Sequence, residues 1–227
     1  MKNAVVCIAK NEDLYIDEWM RYHLKLGFDE VWVYQNDWRY SGPFKGDPRV
    51  KLVEFDGPNM QLRAYNDFLE KRSSGYDFVA FFDVDEYMCL NHIELRDFLS
   101  GFDSVAGIAL NWKLFGDSGL AKPENGDYSC VNRFVKCQRG FNKHVKTIVN
   151  VKFTNRSRFV NNPHCVNTSV CKNAVVNATG TKWVQGPFNP GETSRVAWLN
   201  HYYCKTLDEF TSIKTPKGRA DVPPQLA

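Results

Sequence analysis

The sequence predicts an α/β domain built on a mainly parallel sheet with helices on both faces. The first observation is the order of periodic segments in the first half: strand, helix, strand, strand, helix, strand. The second is the stretch at residues 78–82, whose unbroken apolar character is typical of a strand buried on both faces. The third is the length of 227 residues, which suffices for one domain with a full sheet and its flanking helices.

The first half divides into well-marked elements. Residues 4–9 form a short apolar run that predicts a buried strand. Apolar side chains then recur at three- and four-residue spacing from Ile16 to Leu24, which predicts a helix ending at Gly27. His23 lies on the apolar face of that helix and is expected to be a core or interface residue. The other elements predicted here are two strands, a helix and the apolar strand: 30–35, 50–55, 60–71 and 78–82.

The second half is less regular. Residues 131–136 and 145–151 are expected to pair with each other as strands, and nothing marks a boundary between two domains. The proline-rich residues 222–227 predict a tail or linker. The other elements predicted here are two strands, a glycine-containing aromatic loop and a helix: 105–110, 196–203, 111–119 and 207–214.

Composition excludes several classes of protein. The formal charge of +3, without a basic run interleaved with aromatics, argues against a nucleic-acid partner. No segment reaches the roughly 20 apolar residues that a transmembrane helix needs, so no transmembrane segment is expected. Seven cysteines without a CxxC pair indicate neither a disulfide framework nor a zinc site, and favour a soluble protein of a reducing compartment, the cytoplasm. The chain also lacks the glycine motifs of dinucleotide-binding, P-loop and α/β-hydrolase enzymes.

A cluster of acids ends the apolar strand at residues 78–82. In extended chain Asp83 and Asp85 point to the same side, and Glu86 follows directly. Two carboxylates so close repel each other unless a cation lies between them, and Mg²⁺ or Mn²⁺ prefers such oxygen ligands. Open α/β sheets bind ligands at the carboxyl ends of their strands, where this cluster falls. The alternative is an exposed, solvated acidic loop.

Short motifs along the chain resemble those of the GT-A glycosyltransferases, in particular the family 2-like and family 92 groups, which occur in bacteria and large algal viruses. A single Asp-x-Asp sequence is a weak signal, but the ordered set is specific. The matching segments are 8–12 with a Trp-bearing helix, 33–37, Gln61 with 64–66, 82–87, 111–112 with 115–116, 146–149, 163–165, 201–203 and 217–221.

The resemblance extends over residues 1–221 as one GT-A domain. It implies a nucleotide-sugar-binding half at 1–110 and a more irregular acceptor-side half at 111–221. The implied reaction is transfer of a sugar from a nucleotide-sugar donor, usually a UDP-sugar, to a glycan or glycoconjugate acceptor.

The resemblance also implies a set of binding residues. Asp85 is the expected direct ligand of Mn²⁺ or Mg²⁺, Asp83 is expected to reach the donor ribose or the metal's waters, and His201 falls where a third ligand is common. Lys146 is expected to meet the diphosphate. The remaining expected nucleotide contacts are Ala9, Asn11, Glu12, Asp37 and Gln61. The alternative for His201 is a hydrogen-bonded histidine near a strand end, and for Lys146 a surface lysine.

An inverting transfer needs a carboxylate that deprotonates the acceptor hydroxyl on the face of the sugar opposite the leaving group. Asp117, in the aromatic loop after Trp112, is the candidate base. Glu86 and Asp127 stay as alternatives, and Glu86 has a second possible role in orienting the metal site.

Three other functions are compatible with parts of the sequence. A sugar nucleotidyltransferase shares the fold and an acidic metal site, but is expected to carry a Gly-rich, Arg-containing loop where this chain has residues 10–13. A sugar-nucleotide-binding module without transfer activity needs no intact acidic cluster. A metal-dependent phosphohydrolase usually needs more His and Asp ligands than this arrangement offers.

Overall fold

The computed structural model describes residues 1–124, 126–153, 162–165, 175–181, 184, 186–190 and 196–217. Its centre is a curled sheet in which most neighbouring strands run parallel, which confirms the predicted fold class. The described strands are β1 Asn3–Ala9, β2 Glu30–Gln35, β3 Val50–Glu54, β4 Phe78–Phe81, β5 Glu86–Leu90, β6 Gly107–Leu114, β7 Val145–Asn150, β8 Val175–Asn177 and β9 Ala197–His201. Their order across the sheet is β3-β2-β1-β4-β7-β6-β9-β5, and β8 pairs with β6.

Helices cover the sheet and close the described chain. The described helices are α1 Ile16–Leu26, α2 Gln61–Lys71, α3 Leu95–Ser100, α4 Cys130–Arg133, α5 Leu207–Glu209 and α6 Thr215–Lys217, with a π-helical stretch Phe210–Lys214 between the last two. Short 3₁₀ turns lie at Ser73–Gly75 and Val151–Phe153. None of the helices in the described part of the chain has the length and apolar character needed to cross a membrane.

The parallel half of the sheet contains a reversal of strand order. The chain passes from β1 through α1 to β2 and β3 on one side, then returns through α2 to β4 on the other side of β1. The carboxyl ends of β1 and β4 therefore meet at a topological switch point, the place where open α/β sheets bind their ligands.

The two faces of β1 bury different helices. Val5 and Cys7 point into the cluster that contains Trp19 of α1. Ala4 and Val6, the alternate residues, point into the cluster that contains Tyr65 of α2. Because successive strand residues face opposite sides, this alternation places α1 and α2 on opposite faces and makes the sheet doubly wound.

The predicted pairing of residues 131–136 with residues 145–151 is wrong. Residues 130–133 form the short helix α4, because the Ser129 hydroxyl caps it by accepting a hydrogen bond from the Asn132 backbone N–H. The valines that suggested a strand, Val131 and Val135, are exposed at 39% and 69%. Strand β7 pairs instead with β4 and β6, antiparallel to both.

Other boundaries in the second half also shift. Strand β6 runs on to Leu114, so the predicted loop at residues 111–119 begins inside a strand. Strand β5 begins at Glu86, the last acid of the cluster, and was not predicted; it pairs antiparallel with β9. The helical prediction at residues 207–214 is confirmed, with a π-helical part. The predicted tail at 222–227 and residues 218–221 lie outside the described residues.

Candidate active site

The acidic cluster lies at the switch point between β1 and β4, but not in extended chain as predicted. The backbone turns after β4, and the N–H of Glu86 donates to the carbonyl of Asp83 at 2.9 Å. Within this turn the carboxylates of Asp83 and Asp85 contact different partners. The cluster therefore divides into two charge centres, one around each aspartate.

The first centre is built around Asp83. Its Oδ1 accepts hydrogen bonds from Gln61 Nε2 at 2.7 Å and from the Tyr65 hydroxyl at 3.3 Å, both from α2. Its Oδ2 accepts from the ammonium of Lys146 at 2.9 Å. The sequence predicted Gln61 as a nucleotide contact, and the structure places it directly on Asp83.

Lys146 has no exposed side-chain area, so the alternative of a surface lysine is wrong. It lies on β7, in which all six residues are buried. Burial alone would lower the pKa of its ammonium, but the neighbouring Asp83 carboxylate outweighs that effect and raises the pKa. Lys146 is therefore a fixed positive charge beneath the sheet edge at neutral pH.

The second centre is built around Asp85. Its Oδ2 accepts from the ammonium of Lys214 at 2.8 Å, and its Oδ1 lies 3.5 Å from His201 Nε2. Lys214 also donates to the carbonyl of Tyr203 at 2.7 Å. Burial alone would raise the pKa of Asp85, but Lys214 and His201 hold it well below its usual value. Asp85 is therefore a carboxylate at neutral pH.

A buried anchor holds the segment that carries Lys214. The Glu209 carboxylate accepts hydrogen bonds from Arg133 at 2.7 and 2.9 Å and from the Tyr15 hydroxyl at 2.8 Å. Thr206 and Glu209 also form a capping box at the start of α5. Burial alone would raise the pKa of Glu209, but the hydrogen bonds from Arg133, Thr206 and Tyr15 lower it to about 2. The anchor fixes the helical segment that begins at α5 and continues to Lys214.

Glu86 is a buried neighbour of the first centre. It has no exposed area, and its Oε2 accepts from the Asp83 backbone N–H at 2.8 Å and lies 3.7 Å from Lys146 Nζ. Burial and the charges of Asp83 and Asp85 raise its pKa well above the usual value. A carboxyl group in this position supports the Asp83 turn, which favours the orienting role over that of a base.

The donor set offers a partial fit to a divalent metal. Asp85 Oδ1 and His201 Nε2 are neighbours, and Mn²⁺ accepts both carboxylate and imidazole ligands. In the described part of the chain, however, no three His, Cys, Asp or Glu side chains converge on one metal position. The ammoniums of Lys146 and Lys214 contact Asp83 and Asp85 instead. The metal and its three ligands stay a prediction.

The expected nucleotide contacts follow β1 and β2, which run side by side with Ala9 opposite Gln35. Ala9 and Glu12 are buried, at 1% and 8% exposure. Asn11 and Asp37 have φ values of 52° and 48°. Left-handed backbone at a residue other than glycine is uncommon and concentrates at functional sites. Because β1, β2 and β4 run parallel and end at Ala9, Gln35 and Phe81, the residues that follow them lie at the same sheet edge as Asp83 and Asp85.

Asp37 is held by its neighbours. Lys10 Nζ donates to its Oδ2 at 3.0 Å, and the Gly57 backbone N–H donates to its Oδ1 at 3.0 Å. These two hydrogen bonds lower the pKa of Asp37. The contact links the loop after β1 to the loop after β2.

The two other candidate bases lie on exposed turns. Asp117 Oδ1 accepts from the Gly119 backbone N–H at 2.8 Å. Two residues before it, the Phe115 backbone N–H donates to the carbonyl of His201 at 3.0 Å, which ties this turn to the second charge centre. Asp127 Oδ1 accepts from the Ser129 backbone N–H at 2.8 Å. The roles of Asp117 and Asp127 stay predictions.

A group of one tryptophan and three histidines, the Trp112 cluster (Trp112, His144, His164 and His201), borders the second charge centre. The Trp112 ring lies 4.3 Å from that of His201 and 5.2 Å from that of His164, between centroids. His144 stacks on Trp112 at 5.1 Å and 18°. Burial, and then the charge of Lys146, lower the pKa of His164 to about 4, so its ring is neutral at neutral pH.

Sequence reasoning missed two parts of this site. Lys214 carried no signal beyond its place in a predicted helix. Trp112, His164 and His201 belong to separate motifs of the resemblance, but nothing in the sequence marked them, or His144, as one cluster. A separate cleft of about 500 Å³ opens between Tyr76 and Lys152, at the amino end of β4, and contains none of the predicted site residues.

Comparison with known proteins gives a likeness in structure only. No family model and no curated protein matches the chain. It is similar to S. aureus TarS residues 1–349 in complex with UDP-GlcNAc, with 17% identity, coverage of 67% of this chain and 46% of that chain, and a TM-score of 0.46. It is also similar to 4-diphosphocytidyl-2C-methyl-D-erythritol synthase, with 13% identity, coverage of 82% of this chain and 93% of that chain, and a TM-score of 0.43. For HddC from Yersinia pseudotuberculosis the identity is 10%, the coverage is 78% of this chain and 91% of that chain, and the TM-score is 0.42.

The chain is shorter than the first of these proteins. Its matches cover between 23% and 48% of the TarS chains. Similarity of this degree establishes no shared activity.

Proposed function

We propose that the chain is a glycosyltransferase that moves a sugar from a nucleoside diphosphate donor, with UDP as the expected nucleotide, to a hydroxyl of a glycan or glycoconjugate. The observation that carries the proposal is the pairing of Lys146 with Asp83 and of Lys214 with Asp85 at the switch point. A diphosphate needs fixed positive charge close by, and this sheet edge is where such ligands bind in open α/β folds. Asp83, Asp85 and Lys146 also belong to the motifs that resemble GT-A glycosyltransferases.

The nucleoside would lie over the ends of β1 and β2. Glu12 and Asp37 offer carboxylate oxygens to the donors of the ribose and the uracil, and Ala9 and Asn11 shape the edge next to them. Gln61 donates a hydrogen bond to Asp83 and would orient the Asp83 carboxylate toward the ribose. The position of these residues beside the charged centres supports the proposal.

The metal would be held by Asp85 and His201, with Asp83 acting on the ribose or on the metal's waters. When bound, Mn²⁺ or Mg²⁺ supplies positive charge to the leaving diphosphate. For Asp85 Oδ2 to serve as a ligand, the ammonium of Lys214 must first leave it. Lys214 is then free to contact phosphate oxygens.

The chemistry follows from the charges. As the acceptor oxygen bonds to the anomeric carbon and the bond to the diphosphate breaks, negative charge grows on the leaving group. Lys146 is a buried cation that is already in place and needs no rearrangement at that moment. We assign proton removal from the acceptor hydroxyl to Asp117, which implies inversion at the anomeric carbon.

A donor screen followed by a product assay tests the proposal. The chain with Mn²⁺ would be heated with UDP-glucose, UDP-galactose or UDP-N-acetylglucosamine, because a ligand that binds the folded state raises its melting temperature. The expected result is stabilisation by at least one donor, and slow release of UDP and free sugar when water replaces the acceptor. Asp97→Ala, at an exposed position of α3, serves as control for variants of the acidic cluster.

The same assay separates the other functions. A sugar nucleotidyltransferase would consume a nucleoside triphosphate and sugar phosphate and release pyrophosphate. A sugar-nucleotide-binding module would be stabilised by donors but release no UDP. Failure of every donor to stabilise the protein would contradict the proposal.

A further inference from the structure

Buried polar atoms without a hydrogen-bond partner concentrate at one place in the described part of the chain. Five side-chain atoms there are of this kind, and one of them, Asn3 Oδ1, lies at the amino end of β1. The other four surround the charge centres: Glu86 Oε1, Trp112 Nε1, His164 Nδ1 and His201 Nδ1. Each buried polar atom without a partner costs free energy in the folded state, so the presence of four of them around one site needs a physical explanation.

Three of these four atoms belong to the Trp112 cluster. The His201 ring turns Nε2 toward Asp85 at 3.5 Å, so Nδ1 is the nitrogen that does not face the carboxylate. His201 as a whole is only 6% exposed. The rings of Trp112 and His201 are in contact, with centroids 4.3 Å apart. The cluster therefore combines flat ring faces with three ring nitrogens whose hydrogen-bonding capacity is unused.

We propose that Trp112, His164 and His201 form the subsite for the transferred sugar of the donor, whose hydroxyl groups satisfy their ring nitrogens. The inference rests on the proposed function and deepens it. A hydroxyl group both donates and accepts, so it suits the indole N–H, which only donates, and a neutral imidazole nitrogen of either kind. The ligand class is a neutral, hydroxyl-rich pyranose.

The donor sugar fits this place better than the acceptor because of covalent geometry. In a nucleotide sugar the anomeric carbon is bonded directly to the terminal phosphate. The proposed diphosphate centre includes Asp85, which His201 contacts, and Lys146, whose chain neighbour Thr147 donates to the His164 carbonyl at 3.2 Å. A sugar joined to a diphosphate at that centre would lie within reach of the cluster.

The test compares how tightly each variant binds the donor and the nucleotide alone. Trp112→Phe keeps an aromatic ring and removes the N–H. Isothermal titration with Mn²⁺ would measure the Kd for UDP and for UDP-glucose, UDP-galactose and UDP-N-acetylglucosamine. The wild type should bind at least one of these sugars more tightly than UDP. Trp112→Phe should weaken that binding by about tenfold and leave UDP unchanged, the usual scale for an unmatched polar group.

Trp198→Phe is the matched control. The quantity compared is the ratio of the affinity for the UDP-sugar to the affinity for UDP. Trp198 lies on β9, and its Nε1 already donates to Asn200 Oδ1 at 2.9 Å, so this change should leave the ratio as in the wild type. A second pair keeps the test open if Trp112→Phe folds poorly. His164→Leu should lower the ratio, and His164→Asn, which keeps a polar atom near the Nδ1 position, should restore part of it.

The outcomes separate this inference from the function on which it rests. If the wild type binds no UDP, both fail. If UDP binds but the wild type gains nothing from any of the three sugars, or the variants leave the ratio unchanged, the subsite alone is refuted. Equal weakening of UDP and UDP-sugar by Trp112→Phe would also refute it, because the cluster would then serve the nucleotide.

Discussion

Replacing Lys146 with Met tests whether the buried cation holds the acidic turn together. Met has a similar length and packs well in apolar surroundings, so the change removes the charge and leaves little empty space. What it leaves behind is the Asp83 carboxylate, which loses a contact of 2.9 Å, and Glu86, which loses a neighbour at 3.7 Å. The free energy of unfolding should fall.

The size of the loss follows from burial. Removing one partner of a buried ion pair costs about 3–5 kcal/mol, because the other charge stays behind uncompensated. The Asp83 side chain is 35% exposed and keeps its hydrogen bonds from Gln61 and Tyr65, which places the cost near the lower limit. We expect a loss of about 3 kcal/mol. For a domain of this size that corresponds to a drop of roughly 6–12 °C in Tm.

Urea unfolding followed by circular dichroism at neutral pH gives the measurement. Lys10→Met is the control, because Lys10 pairs with Asp37 while both side chains are about 40% exposed. Water screens such an exposed pair, so it adds little to stability. The double variant Lys146→Met with Asp83→Asn should recover part of the loss, since it removes the uncompensated charge. A loss below about 1 kcal/mol for Lys146→Met, no larger than that of the control, would refute the reasoning.

Three further predictions follow from the same centres. Lys214→Met removes the ammonium that competes with a metal for Asp85 Oδ2. It should tighten Mn²⁺ binding without nucleotide by roughly tenfold in titration calorimetry, which corresponds to about 1.4 kcal/mol. Unchanged or weaker Mn²⁺ binding would contradict this. Asp117→Asn should keep donor binding and lower transfer by roughly two to four orders of magnitude, and a near-normal rate would exclude Asp117 as the base. Because its pKa is raised, Glu86 lowers wild-type stability as pH rises above its unfolded pKa of about 4.3. The neutral isostere Glu86→Gln should therefore gain stability relative to the wild type as the pH rises from about 4 in urea unfolding. A difference that does not change with pH would contradict the raised pKa of Glu86.

The parallel half of the fold was predictable because its signals are local. Strand β2 occupies the residues predicted from its apolar run, and β1 and β3 differ from prediction by one residue at one end. The helix α1 is followed by Gly27 with φ at 118°, the left-handed cap that its sequence indicated. In these elements the spacing of apolar residues, the length of the segment and the capping residue all indicate the same structure.

The second half was less predictable because non-local contacts decide it. The valines at 131 and 135 favour a strand locally, but the Ser129 cap and a neighbouring buried anchor at Arg133 favour a short helix. Strand β5 begins with Glu86, a residue with low strand propensity, and exists because β9 lies alongside it.

The candidate site shows the same division. Asp83 and Asp85 were found because acids after a buried strand are visible in a local window. Lys214 contacts Asp85 across 129 residues of chain, and a lysine on a helix is ordinarily solvated, so no local pattern marks it. The contact between Trp112 and His201 likewise depends on the parallel pairing of β6 with β9.

The most direct test of the central claim is metal-dependent UDP binding by the wild type and by Asp85→Ala, with Asp97→Ala as control. Titration calorimetry would measure UDP affinity with Mn²⁺ and with a chelator, and circular dichroism would check that each variant is folded. The wild type and the control should bind UDP when Mn²⁺ is present and lose most of that affinity in the chelator, whereas Asp85→Ala should show no Mn²⁺-dependent binding. If folded Asp85→Ala binds UDP with the wild-type affinity and the same dependence on Mn²⁺, the acidic cluster is not the diphosphate site.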